Sequence, residues 1–111
     1  MAIYVSNIVI EQGFDFDTSF QLEDTRSNQP LDLTDVTSES MLRKHYGAST
    51  AVSFASTITS PELGILSISL TSSQTVGLKA GRYVFDVKLT SDGREYKAVE
   101  GSALVRAGVT R

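Results

Sequence analysis

Two stretches of this sequence alternate with a period of two. Phe14, Phe16, Thr18, Phe20 and Leu22 interleave with Asp15, Asp17, Ser19, Gln21 and Glu23, and Leu66, Ile68 and Leu70 with Ser67, Ser69 and Thr71. Successive side chains of a strand point to opposite faces, so each stretch has one apolar and one wet face. A helix would scatter the same aromatics around its circumference. A chain written this way builds its core by facing strands against strands.

The rest of the chain extends the pattern. Ile8–Ile10 reads as a first strand, with Gly13 allowing a bend before Phe14. Asp24–Pro30 is rich in turn formers. Further strands are expected at about Val36–Tyr46, Val52–Ile58, Arg82–Thr90 and Arg94–Glu100, with a helix over Glu39–Lys44 as the alternative to the first of these. Asp92-Gly93 signals a tight hairpin, because such a turn needs positive φ. Gly101 marks a bulge or break, after which Ser102–Val109 continues as a half-strand or an eighth strand. Thr71-Ser72-Ser73-Gln74 fits a capping box and predicts one short helical turn near 72–77, with Val76 and Leu78 tucked inward. Serine and threonine together number 26, a composition that suits wet strand faces.

Seven or eight short strands about ten residues apart predict an all-β fold, an immunoglobulin-like antiparallel β-sandwich or a small barrel. Leu78–Phe85 favours the sandwich. It looks like a tyrosine corner, in which the Tyr83 hydroxyl returns to an upstream backbone group. Phe85 stands where an antibody-type domain places its second disulfide cysteine. The chain has no cysteine and no tryptophan, so its pin is apolar. The expected core includes Phe16, Phe20, Leu66, Ile68, Tyr83, Phe85 and Val87. At 111 residues, with no repeat or linker, the sequence reads as a short arm (residues 1–7) and one domain (residues 8–111).

Residues 1–40 carry a net charge of −7 and residues 41–111 a net of +4. Such a split gives complementary faces for self-association or docking, unless interleaved strands cancel it. The start of the chain lacks the basic, then apolar, pattern of a secretory signal, and no apolar run is long enough to span a membrane. The absence of cysteine excludes disulfides, thiolate metal sites and cysteine nucleophiles.

No catalytic motif is present. Asp15, Asp17, Glu11, Asp32 and Asp35 raise the question of a calcium site, but Asp15 and Asp17 share the wet parity of a strand and lack an EF-hand spacing. Arg43-Lys44-His45-Tyr46 is the densest basic cluster, suited to an acidic partner surface better than to nucleic acid on an acidic chain. His45, the sole histidine, lacks a nucleophile elbow, a phosphate loop or a second histidine to work with. Tyr4, Tyr46 and Tyr96, if exposed, offer rings for stacking on a sugar. The expectation is a non-enzyme with no catalytic residue, metal or cofactor. Its docking candidates are Ile3, Tyr4 and Val5 in the arm and Arg43, Lys44, His45 and Tyr46 in the basic cluster.

Several segments, taken in order, resemble one family. They are Ile8-Val9-Ile10-Glu11-Gln12-Gly13 with the alternating Phe/Asp strand, Leu31-Asp32-Leu33-Thr34, Arg43-Lys44-His45-Tyr46, Gly64-Ile65-Leu66, Leu78 to Asp86, Val99-Glu100-Gly101 and the closing Val109-Thr110-Arg111. Together they are similar to small immunoglobulin-like virion structural proteins of tailed bacteriophages, such as baseplate upper protein N-terminal domains and short structural proteins of T4-like marine phages. The resemblance implies a virion building block attached to a larger assembly, and the first expectation is a tail or baseplate component present in many symmetric copies and contacting other virion proteins, with no nucleic acid or membrane partner. Capsid decoration and receptor or glycan binding are the alternatives.

Overall fold

The computed structural model of the chain describes residues 4–24, 29–45, 47 and 51–109. Its strands are β1 (Tyr4–Val5), β2 (Ile8–Glu11), β3 (Phe16–Gln21), β4 (Glu23–Asp24), β5 (Gln29–Pro30), β6 (Thr37–Arg43), β7 (Val52–Ser60), β8 (Ile65–Leu70), β9 (Gly81–Ser91) and β10 (Arg94–Arg106). A 3-10 turn spans Pro61–Leu63, and helix α1 spans Ser72–Val76. The fold is all-β, and the segment Glu39–Arg43 is strand rather than helix.

One sheet runs β1-β10-β9-β6-β7-β8-β3, with β2 also on β10; β4 and β5 form a separate small ribbon. The sheet curls at β7. Val52–Phe54 of that strand pair with β6, while Ala55–Ser60 pair with β8. The bend makes two limbs, and the core fills the space between them. Leu42, Phe85, Val87, Val99 and Val105 enter from one side, and Leu66, Ile68 and Leu70 from the other. Phe54 lies between Phe85 and Phe16, with ring centroids 6.3 Å and 6.1 Å away. Offset and edge-on ring pairs of this kind add to the burial of the rings themselves.

The sheet is not wholly antiparallel. β1 and β2 both run parallel to β10. β2 does not turn back on β10 through a hairpin but crosses to the other limb, so nothing forces an antiparallel pairing.

Of the expected core, Leu66, Ile68, Phe85 and Val87 are buried, and Phe16, Phe20 and Tyr83 are half-buried against the cluster. Phe16 and Phe20 sit on β3, the last strand of its limb, where one flank has no neighbour among the described residues. The Tyr83 hydroxyl donates to the Lys79 carbonyl at 2.8 Å, the upstream backbone contact expected of a tyrosine corner.

Local signals explain the connections. Asp92 and Gly93 have φ of 52° and 77°, the double positive φ of the hairpin joining β9 to β10. The register shift in β10 lies between Lys97 and Val99, not at Gly101, because Ala98 and Val99 are both buried. Gly101 stays in the ladder opposite Phe85. Its missing side chain instead admits the Ser6 carbonyl, which lies where a Cβ would stand. Ser6 N–H donates to the Glu100 carbonyl at 2.9 Å and holds the arm there.

Helix α1 starts with both halves of its capping box. The Thr71 hydroxyl accepts from Gln74 N–H at 3.3 Å, and Gln74 Oε1 accepts from Thr71 N–H at 2.9 Å. Val76 is exposed, against expectation, while Leu78 is buried. A single turn has one inward position, and Thr75 takes it. Its hydroxyl donates to the Phe14 carbonyl at 2.8 Å and accepts from Gly13 N–H at 3.1 Å. Valine could satisfy neither group.

Candidate interaction surfaces

The outer face of β6, β9 and β10 is a charged lattice. Lys88 lies 3.6 Å from Glu39 and 3.4 Å from Glu95; Lys97 lies 3.3 Å from Glu100 and 3.9 Å from Asp86. Glu95 first, and then Glu39, raise the Lys88 ammonium above the usual lysine range. The face holds a shallow depression of about 290 Å³. These pairs are half-exposed, and such pairs contribute little each, because solvent and salt screen them. They make a solvated lid for the limb.

The docking candidates among the described residues do not converge. Ile3 and Tyr46 lie outside the described residues. Tyr4 packs against the core, and Val5 points out from the edge strand β1. The described part of the arm therefore lies along the domain's own β10. Arg43 ends β6, three strands away, a separation of roughly 14 Å. The Lys44 ammonium sits 4.6 Å from the centre of the Tyr83 ring, and His45 is exposed beside it.

The carboxylates weighed for calcium also separate. Glu11 pairs with Arg106 at 3.4 Å. Asp15 Oδ1 accepts from Ser72 N–H at 2.7 Å. Asp32 accepts from the Thr34 hydroxyl at 2.6 Å and from its N–H at 2.9 Å, which hold its carboxyl below the usual range. No group of three or more potential metal ligands occurs among the described residues. The two described tyrosines weighed for a sugar do not share a face: Tyr4 is on the core, and Tyr96 lines a hollow of about 270 Å³ with Leu31, Leu33, Val36 and Leu89.

What the structure does bring together is charge of one sign at each end. Strands alternate in direction, so residues distant in sequence meet at a common end. Exposed Glu23, Asp32, Asp35, Glu62 and Asp92 gather where β3, β7 and β9 finish, with Arg94 as the base there among the described residues. At the other end, where β6 and β10 finish and β3 and β9 begin, lie Arg43, Lys44, Lys79, Arg82 and Arg106, with Glu11, Asp15 and Asp17 as the acids among the described residues, which leaves the positive charges in excess. Two of those acids are already engaged, Glu11 by Arg106 and Asp15 by the α1 backbone. The ends thus differ in charge along the strands, but not by the split of the sequence: Glu62 and Asp92 at the acidic end come from the basic remainder, and Glu11, Asp15 and Asp17 at the basic end from the acidic first third. Sequence reading missed this because four of the five acids at the acidic end lie in connections rather than strands. Their common location follows only once strand directions are assigned.

The free flank of β3 is a second feature. Its six residues pair with β8 without a register shift, and the strand carries no lysine or proline. Its unpaired backbone groups can extend the sheet with a further strand.

No protein-family model matches the chain, and neither does any curated protein sequence. Among solved structures, the chain is similar to part of InlP from Listeria monocytogenes, with a TM-score of 0.51 and 11% identity, over 91% of this chain and 26% of that one. It is also aligned with part of a family 123 glycoside hydrolase from Clostridium perfringens, described in connection with glycolipid glycan hydrolysis, with a TM-score of 0.43 and 14% identity, over 97% of this chain and 24% of that one. The chain spans about a quarter of the length of each. At such identity the first likeness concerns the fold alone.

Proposed function

We propose that this chain is a non-enzymatic structural and assembly protein of a tailed-phage particle, a tail or baseplate component that docks other virion proteins. Its fold is read as an immunoglobulin-like sandwich whose two limbs are joined at β7. The sequence resemblance and the tyrosine-corner contact of Tyr83 support that assignment.

The observation that carries the functional reading is the open flank of β3, a six-residue strand with no neighbour on one side among the described residues. Such an edge offers main-chain hydrogen bonds to a neighbouring sheet without any dedicated ligand pocket. The acidic and basic ends add orientation, since charge complementarity sets which surfaces meet. Mass spectrometry of purified particles tests the reading, and particle imaging with a labelled chain locates the protein on tail or capsid. Stoichiometric, multi-copy incorporation is the expected result. Its absence from purified particles overturns the proposal.

A further inference from the structure

We infer that copies of this chain associate end to end, the acidic end of one molecule meeting the basic end of the next. The contact is a property of the isolated chain and does not depend on the particle in which the chain works. Exposed Glu23, Asp32, Asp35, Glu62 and Asp92 form one surface, and Lys44, Lys79, Arg82 and Arg106, with half-buried Arg43, form the other. Like ends repel, so a twofold arrangement of acidic on acidic, or basic on basic, is disfavoured. Opposite ends attract, and that contact is heterologous. It leaves one free end of each sign and propagates into a stack or closes into a ring.

Both ends also carry apolar area for such a contact. At the acidic end Leu63 is 49% and Tyr96 36% exposed; at the basic end Val76 is 51% and Phe14 46% exposed. The molecule measures 45 × 27 × 21 Å. A thirteen-residue strand such as β10 spans about 43 Å, so the long dimension follows the strands. The two shorter dimensions leave an end face on the order of 600 Å², below the roughly 800 Å² that each partner buries in a stable interface. A single contact is therefore weak, and it gains strength when copies are held in a row.

Sedimentation velocity on the purified chain, up to about 1 mM, tests the inference, because a contact at the weak end of the specific range has a Kd near that value. Association is expected at about 0.01 M salt and at least about tenfold weakening at about 1 M, as the screening length falls from ~30 Å to ~3 Å. A chain that stays monomeric throughout, or an association that salt leaves unchanged, overturns the inference.

Charge reversal fixes the geometry. One variant combines Lys79→Glu with Arg82→Glu; the other combines Glu62→Lys with Asp92→Lys. Each alone should lose self-association, and a mixture of the two should regain it, now between unlike molecules. Persistence of association in either variant alone, or no recovery in the mixture, overturns the proposed contact. The salt series on the unaltered chain decides the matter even if a variant misfolds. Failure of self-association leaves the virion reading to the particle analysis, and absence from particles leaves the end-to-end contact standing.

Discussion

Phe85 works by burial alone, in a chain that has no cysteine to bridge. It is 2% exposed and meets Phe54 edge-on across the core. Phe85→Ala should cost about 3–5 kcal/mol in denaturant unfolding, a large share of the roughly 5–15 kcal/mol that holds a domain together. The same change at half-buried Phe16 should cost less. Thr75 is the residue that the sequence least advertised. A threonine in a serine-rich segment reads as surface, yet its hydroxyl serves two backbone groups of the turn before β3. Thr75→Val keeps the shape and removes the hydroxyl, and the unmet Phe14 carbonyl and Gly13 N–H should lower stability by about 1–3 kcal/mol. Tyr83, by contrast, was legible, because a tyrosine after Ala80-Gly81-Arg82 at the start of a strand has a recognisable backbone target.

At the scale of elements, the period-2 segments were readable because parity alone decides which residues face inward. Leu66, Ile68 and Leu70 alternate in burial with Ser67 and Ser69 as their spacing implies. Parity says nothing about which strand lies alongside which. Gly101 shows the consequence: the same residue suits a bulge or a close backbone approach, and only the neighbouring Ser6 decides between them. Gly101→Ala should therefore push β1 off β10 while leaving β2 paired with residues 103–106. Hydrogen exchange should show faster exchange at Ser6 N–H with little change in the β9–β10 ladder. Unchanged protection at Ser6 would refute that account. The docking candidates were chosen by residue type, and three-dimensional placement separated Tyr4 and Val5 from Arg43 and Lys44 because the two groups lie on strands with β9 and β10 between them.

For the whole molecule, charge governs the response to pH. The Lys88 ammonium is raised by Glu95 and Glu39, so its contribution is complete below the ordinary lysine range and is lost as pH rises through the raised value. The Asp32 carboxyl is lowered by Thr34, so its contribution is present above the ordinary carboxylate range and is lost as pH falls through the lowered value. Thermal melts across pH should therefore show a plateau at neutral pH with a shoulder at each extreme. Lys88→Gln should flatten the alkaline shoulder, and Asp32→Asn the acid one. Both groups are exposed and the effects are small, so the comparison is between variant and parent at matched salt.

The split allegiance of β7 has a mechanical corollary. Its first residues are stitched to β6 and its last to β8, so neither limb can peel from the core without tearing a strand the other limb also needs. Covers joined only by side chains can come away singly; covers cut from a single cloth rip together. Pulled from opposite ends, this chain should give way in one abrupt event rather than two.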